Sequence, residues 1–163
     1  MAFPVRLAGA TALALLFMAG CAPSAARSAD TVTASDRTAL VPLAISTAGG
    51  VIHYRVEMAA TPQEQARGLM FRTSLPDHGG MIFPMVPPRF ASFWMKNTLI
   101  PLDMIFIRPD GSIARIAANT VPGNLEPVDS GEPVSAVLEI AGGGAAANGI
   151  AEGDRVSWTK PRL

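Results

Sequence analysis

The sequence has a single cysteine and only two histidines, and these shortages exclude several kinds of chemistry. With Cys21 alone, the chain can form neither an intramolecular disulfide nor a metal site built from several thiolates. His53 and His78 are the only imidazole bases, and neither a Gly-x-Ser-x-Gly elbow nor a His-Glu-x-x-His pair occurs. We therefore expect binding rather than catalysis by a nucleophile or a zinc ion.

Positive charge is also sparse and dispersed. Lys96 and Lys160 are the only lysines among 13 basic residues, the arginines are scattered, and the formal net charge is zero. A face that binds nucleic acid needs clustered lysines and arginines to neutralise phosphates. The composition therefore predicts no nucleic-acid partner.

Two patterns imitate a cofactor or metal site. Residues 142–147 resemble the dinucleotide fingerprint after a strand, but the required βαβ unit and an acidic residue about twenty places further on are missing. The methionines from Met58 to Met104 could bind Cu(I), yet they lie in separate apolar segments, where methionine usually fills core gaps. We predict neither a cofactor nor a metal.

The N-terminal segment has the pattern of a bacterial export signal. Arg6 supplies a positive charge, Leu7–Ala19 is an apolar stretch, and Gly20 and Cys21 follow directly. A stretch of that length suits a secretory leader and is too short to span a bilayer as a helix. Met18–Cys21 resembles the lipoprotein box, in which the cysteine is lipidated and becomes the mature first residue. We therefore predict that Cys21 is lipidated.

Two other fates of this leader stay open. Ser24–Ala26 would serve as a cleavage site for ordinary signal peptidase, which would give a soluble periplasmic protein, and the leader could also remain as an uncleaved anchor. Ala22, after the cysteine, matches the default of lipoproteins that reach the outer membrane. We predict a periplasmic location on that membrane, which would be a partner through the N-terminal lipid.

The predicted organisation has three parts. Residues 1–20 are a signal peptide, and residues 21–37 are the lipidated cysteine and a flexible tether rich in alanine, serine and threonine. Residues 38–163 form a β-rich globular domain. Apolar and polar residues alternate over Ile52–Met58 in this domain, which indicates a half-buried strand.

Helix signals in the domain are few. Thr61–Glu64 has the spacing of a capping box ahead of a short helix, and Gly142–Asn148 predicts a second one. Seven or eight short strands with so little helix indicate a mainly β single domain. We expect either an antiparallel β-sandwich or a partly open β-barrel.

Prolines and glycines divide the remaining strands. Gly80–Phe83 and Phe90–Lys96 are predicted as separate strands, and Arg108–Gly111 as a turn that joins two antiparallel strands. Residues 119–133 carry three prolines and two glycines and are predicted as a long loop. Ser135–Ala141 is predicted as a strand.

The segment Phe93–Gly111 is the most informative part of the chain, because it places polar residues in an otherwise apolar run. Three further motifs accompany it: Gly68–Arg72, Gly80–Phe83 and Gly149–Asp154. In these motifs and their order, the chain resembles a bacterial and archaeal family known only as domain-of-unknown-function family 192. The resemblance runs from about Val51 to Trp158, implies a β-rich single domain, and names no reaction.

A binding pocket is predicted near the end of the Phe90–Lys96 strand. Alternation puts Trp94 and Lys96 on one face, with Asn97 at the strand end. The Trp94 ring could stack on a planar ligand, and the Lys96 ammonium group could bind a small anionic one. Arg72 is the further cation that we expect there. In the structural alternative, Trp94 anchors the core, Lys96 lies along its rim and Asn97 belongs to a turn.

Two carboxylates fall in apolar segments, Asp103 and Glu139. An unpaired buried carboxylate costs several kcal/mol or takes up a proton, so each needs a partner. We expect Arg72, Lys96 or backbone amides for Asp103, which would make it a structural brace, and an arginine for Glu139. Both also remain candidates for carboxylates of the pocket.

These observations lead to three functional hypotheses. The leading one is an exported, lipid-anchored cell-envelope protein that binds a small molecule or an envelope protein without chemistry of its own. One alternative is an envelope hydrolase or lyase, which requires Asp103 and Glu139 within roughly 5 to 10 Å of each other in an open cleft. Another is a structural or accessory module of the envelope. A cavity beside Trp94 would favour a small ligand, and an exposed apolar patch a protein partner.

Overall fold

The computed structural model describes residues 40–159. The signal peptide predicted at 1–20, and the lipidated Cys21 and flexible tether predicted at 21–37, lie entirely outside the described residues. Among residues 40–159, no helix has the length and apolar character needed to cross a membrane. The elements in chain order are β1 (Val41–Thr47), β2 (Gly50–Met58), α1 (Pro62–Arg67), β3 (Gly79–Phe93), β4 (Leu102–Ile107), β5 (Ile113–Thr120), β6 (Val128–Ala141), α2 (Gly144–Ala147) and β7 (Arg155–Trp158).

The strands of the described region form one sheet in the order β5-β4-β6-β3-β2-β1-β7. This sheet curls until its two outer strands meet near their starts. Ser112 forms an isolated bridge with Arg155, and the Ile113 amide donates to the Asp154 carbonyl at 2.8 Å. A sheet curled in this way is a partly open barrel, so the predicted mainly β fold with short helices is confirmed in that form.

One strand pair departs from the predicted antiparallel arrangement. β2 and β3 pair in parallel, with Arg55 opposite Gly79 and Met58 opposite Ile82. A parallel pair needs a long crossover connection, which residues 59–78 with α1 supply. Alternation within a strand says nothing about the direction of its neighbour, so the sequence could not reveal this pair.

β3 unites two strands that were predicted as separate, Gly80–Phe83 and Phe90–Lys96. It runs on to Phe93 and ends there, and its register with β6 shifts between Pro84 and Arg89. The prolines in this stretch remove amide donors and interrupt the pairing, but they leave the chain extended. Proline was therefore a signal of a gap in the ladder and not of a strand end.

The connections around β5 are partly as predicted. β4 and β5 are antiparallel, and the Gly111 amide donates to the Arg108 carbonyl at 2.9 Å, which confirms the predicted turn. The long loop predicted for residues 119–133 is shorter, because β6 already begins at Val128.

The curled sheet buries apolar side chains on both faces. The inner core, inside the curl, draws on every strand and includes Ile45, Ile82 and Ile105. The outer core covers the opposite face of β3, β4 and β6 and includes Phe83 and Phe106. Because β4 lies between these two cores, all six of its residues are buried.

α1 begins with the predicted capping box. The Thr61 hydroxyl accepts from the Glu64 amide at 3.2 Å, and the Glu64 carboxylate accepts from the Thr61 amide at 2.8 Å. The bond from the Thr61 amide to the Glu64 carboxylate is the main cause that holds the pKa of Glu64 below its ordinary value. Gly68 ends the helix with φ 47° and packs so tightly that a Cβ there would lie 3.3 Å from the Phe83 ring. The helix is thus held against β3.

Candidate functional site

A cleft of about 420 Å³, which we call the α1 cleft, lies between α1 and the second half of β3. Its volume falls in the range of roughly 300 to 1,000 Å³ that is usual for small-molecule sites. Its lining includes Gln65, Arg67, Met70, Phe83, Met85, Arg89, Phe90, Phe93, Trp94, Thr98 and Glu139. Aromatic and polar side chains thus both contribute to the walls.

Glu139 reaches this cleft from β6, the strand between β3 and β4. It lies opposite Met81 on β3 and Met104 on β4, and it is only 4% exposed. Gly80 allows β3 to approach this closely, because a Cβ at that position would lie 2.2 Å from the Glu139 carbonyl oxygen. The sheet therefore holds Glu139 on the inner side of the cleft.

The carboxyl group of Glu139 has no hydrogen-bond or ion-pair partner among residues 40–159. The predicted arginine pairing is therefore absent from the described part of the chain. Burial raises the pKa of Glu139 to about 8. At neutral pH the side chain is mostly an uncharged acid, which can donate one hydrogen bond through its O–H.

Trp94 and Lys96 lie together at the edge of the cleft. The Lys96 Nζ is 5.0 Å from the centroid of the Trp94 ring, which is the geometry of a cation–π contact. The Trp94 side chain is half exposed and lines the cleft, while Lys96 and Asn97 fall in the turn after β3. Asn97 has φ 56°, a left-handed conformation that asparagine tolerates better than most residues.

Two arginines add positive charge to the lining. Arg67 and Arg89 are both exposed, so they mark the outer side of the cleft. The Arg89 Nη2 donates to the Gln65 Oε1 at 3.5 Å, and Gln65 is itself fixed by a 2.9 Å bond from its Nε2 to the Pro84 carbonyl. With Glu139 neutral, Arg67 and Arg89 are the only charged side chains among the described residues of the lining, an arrangement that favours an anion.

Arg72, a predicted member of the pocket, lies outside the α1 cleft. Its Nη2 donates to the Glu57 Oε2 at 2.8 Å, and this ion pair is partly exposed to solvent. A surface pair of this kind contributes at most about 1 kcal/mol to stability. Arg72 is therefore not among the cations that would face a ligand in the cleft.

Asp103, another predicted member, is sealed inside the curl of the sheet and is 0% exposed. Its Oδ1 accepts from the Asn119 amide at 2.8 Å and the Gly143 amide at 2.9 Å, and its Oδ2 accepts from the Ala145 amide at 2.8 Å. Of the partners expected for Asp103, backbone amides are the ones observed. Because Gly143 offers no side chain to cap α2, Asp103 supplies that cap from β4 and braces the end of β5 as well.

Asp103 and Glu139 face opposite sides of the sheet. Asp103 pairs with Ile140, whose side chain belongs to the inner core, while Met104 pairs with Glu139 on the outer side. In the part of the chain that the structure describes, Asp103 is sealed from solvent and does not line the α1 cleft with Glu139, so the geometry contradicts the hydrolase or lyase alternative that combines them. Within residues 40–159, no three histidine, aspartate or glutamate side chains come close enough to hold a metal ion.

The structure thus brings Trp94 and Glu139 into one cleft, with Lys96 and Asn97 beside them. Sequence reasoning missed the two arginines of the lining, because they lie on α1 and β3 and border one cleft only in the folded chain. A signal was present for one of them, since Arg67 directly precedes the motif that begins at Gly68. The other arginine, Arg89, lies between prolines and an aromatic residue and carries no pattern of its own.

A second depression of about 600 Å³ adjoins the α1 cleft and shares Gln65, Met85 and Arg89 with it. Most of its remaining lining is apolar and includes Pro62, Pro84, Val86, Pro88, Pro109 and Trp158. We call it the proline groove. It extends the apolar surface next to the cleft.

Comparison with known proteins places these features in a family. Residues 44–158 match DUF192, described as an uncharacterised ACR. A crystal structure of a protein of unknown function from Novosphingobium aromaticivorans DSM 12444 is 50% identical, with a TM-score of 0.72 over 73% of this chain and 85% of that one. A structure from Sinorhizobium meliloti 1021, titled as a candidate transcription regulator, is 38% identical, with a TM-score of 0.72 over 74% and 95%. No curated protein matches the chain.

Proposed function

This chain belongs to domain-of-unknown-function family 192, and we propose that it binds a small organic anion in the α1 cleft without transforming it. The observation that carries the proposal is one buried carboxyl without a partner, facing an open cleft with cationic side chains around its outer side. Buried polar groups are nearly always hydrogen-bonded, so an unmatched one beside a cavity points to a ligand.

The walls of the α1 cleft suit the apolar part of such a ligand. The rings of Phe83 and Phe93 meet edge to face with centroids 5.1 Å apart, which fixes both in place. Trp94 offers a half-exposed indole on which a planar group can stack. Arg67 and Arg89 would face the negative group of the ligand at the outer side.

We further propose that binding takes place in the cell envelope, at the periplasmic side of the outer membrane. The support is the sequence pattern of Arg6, the apolar stretch Leu7–Ala19 and Cys21. A lipidated cysteine followed by a flexible tether would keep the domain close to the membrane while its cleft stays open to the periplasm.

Binding of 2-naphthoate tests the proposal, with 2-naphthalenemethanol as a neutral probe of similar shape. Calorimetry uses the protein as the cell processes it, held in lipid nanodiscs, with empty nanodiscs as the blank. We expect 2-naphthoate to bind more tightly than the alcohol, and the difference to shrink as salt screens the arginines. The double variant Arg67→Gln, Arg89→Gln should weaken 2-naphthoate and leave the alcohol unchanged.

Arg55→Gln is the matched control, because Arg55 is an exposed arginine on β2 that does not line the cleft. It should change neither affinity. If Trp94→Ala combined with Lys96→Ala left all binding unchanged in a folded protein, binding would lie elsewhere and the proposal would fail.

An envelope protein is the second candidate ligand. Phe71 and Leu125 are large apolar residues that are mostly exposed, and backbone hydrogen bonds tie their segments, at 71 and 121–125, to the turn at 95–98. A photocrosslinker at Leu125 should capture one envelope protein that a crosslinker at the similarly exposed Val51 does not. Equal capture from both positions would contradict a specific interface.

A further inference from the structure

The inner and outer sides of the α1 cleft offer different chemistry to a ligand. Its inner side holds Glu139, which is 4% exposed and has neither a hydrogen-bond nor an ion-pair partner among residues 40–159. The cross-strand neighbours of Glu139 are Met81 and Met104, whose thioethers are only weak acceptors. Among residues 40–159 the carboxyl O–H therefore meets no strong acceptor, so its acceptor has to enter the cleft, either as water or as a polar group of a ligand.

The cations all lie on the outer side. Arg67 and Arg89 are exposed, and Lys96 is exposed above the Trp94 ring. A negative group placed against Glu139 would lose its water without gaining a cation, which is strongly unfavourable. The same negative group at the outer side would meet both arginines.

A positive group at the inner side is also disfavoured. It would have to pass the exposed Arg67, Arg89 and Lys96, and like charges at a binding site oppose association. The group that meets Glu139 should therefore be neutral and should accept a hydrogen bond. A carbonyl oxygen or a ring nitrogen has this chemistry.

We propose that the ligand is an organic anion with a neutral hydrogen-bond acceptor at the end opposite its charge. Glu139 donates its O–H to that acceptor, while Arg67 and Arg89 face the anionic group. This inference rests on the proposed function. It adds that the two ends of the ligand differ, with a neutral acceptor at the inner end and the negative charge at the outer end.

Two probes that differ in one group test this polarity. 6-Acetyl-2-naphthoate carries a carbonyl opposite its carboxylate, and 6-ethyl-2-naphthoate has nearly the same shape without the acceptor. Burying Glu139 beside the ethyl group leaves its O–H unmatched, so the acetyl probe should bind about tenfold more tightly at pH 6.5. Above a pH of about 8 the preference should fade, because the ionised carboxylate cannot donate.

Substitutions of Glu139 assign the effect to that side chain. Glu139→Gln keeps an N–H donor, so the preference for the acetyl probe should persist and lose its dependence on pH. Glu139→Leu removes the donor, so the two probes should bind about equally, with the ethyl probe held at least as tightly as by the unmodified protein. Glu126→Gln, at an exposed glutamate outside the lining, is the control and should change nothing.

Each outcome decides between the inference and the proposed function. The acetyl and ethyl probes could bind the unmodified protein equally tightly, with both losing affinity in the Arg67→Gln, Arg89→Gln variant. That result would overturn the inference and leave the proposed function intact. Tighter binding of 6-aminomethyl-2-naphthoate than of the acetyl probe would also overturn it, because Glu139 would then act as an anion. If no naphthoate bound a folded protein, the proposed function would fail together with the inference.

Discussion

Replacing Glu139 by glutamine should make the protein more stable at alkaline pH, and the size of the gain follows from the burial of the carboxyl group. In the folded protein the pKa of Glu139 is about 8, whereas its ordinary value is 4.5. Below pH 4.5 the group is neutral in both states and its ionisation costs nothing. As the pH rises from 4.5 to about 8, the unfolded chain releases the proton and the folded protein retains it, so stability falls.

The magnitude comes from the difference between about 8 and 4.5, at about 1.36 kcal/mol for each pH unit. The full penalty is thus on the order of 5 kcal/mol, a large fraction of the roughly 5 to 15 kcal/mol that stabilises an ordinary domain. Glutamine has nearly the same shape and does not ionise, so it escapes this penalty. Between pH 5 and pH 8.5, the free energy of unfolding of Glu139→Gln should rise by about 4 kcal/mol relative to that of the unmodified protein.

Urea unfolding at a series of pH values measures this gain, because the difference between two proteins cancels the titration of every other group. Glu126→Gln is the control, and its stability should follow that of the unmodified protein at every pH. Parallel curves for Glu139→Gln and the unmodified protein, within about 0.5 kcal/mol, would refute the reasoning, because Glu139 would then ionise normally in the folded state.

Three further predictions concern other parts of the chain. Asp103→Asn should destabilise the protein by about 3 to 5 kcal/mol in urea unfolding. Three backbone amides donate to the Asp103 carboxylate; with asparagine, one amide would lose its acceptor and the other two would donate to a neutral oxygen. The control Asp77→Asn, at an exposed aspartate, should cost under about 0.5 kcal/mol. Thr61→Ala should cost about 1 kcal/mol in the same measurement, because it removes the cap of α1. Cys21→Ala should move the protein from the membrane fraction to the soluble periplasmic fraction, and unchanged fractionation would contradict lipidation.

Local signals in the sequence were sufficient for the elements that depend on neighbouring residues. The capping box at Thr61 predicted the start of α1, and the Arg108–Gly111 turn predicted an antiparallel hairpin. Both depend on hydrogen bonds between residues at most four apart in sequence, so the necessary information lies within a few residues. The parallel pairing of β2 with β3 depends instead on where the connection at 59–78 leads the chain.

The candidate site was only half predictable for the same reason. Trp94 and Lys96 were predicted side by side on one strand face, and they do lie in contact, but through the turn that follows β3, because that strand ends at Phe93. Arg67, Arg89 and Glu139 line the α1 cleft from three different elements, α1, β3 and β6, and only the folded chain brings them to one cleft. Arg72 was misplaced because its partner Glu57 lies on β2, whose parallel pairing with β3 was not predicted.

The two buried acids show how structure separates a brace from a binding group. Asp103 and Glu139 both interrupt apolar strands and lie on neighbouring strands of one sheet, so sequence alone gave them the same alternatives. Three backbone amides satisfy Asp103, and its charge therefore stabilises the fold. Glu139 has no such partner and destabilises the fold at neutral pH. The fold does not need the Glu139 carboxyl, and solvent can reach the cleft beside it. A ligand that completes the hydrogen bonding of this carboxyl best explains why it is there.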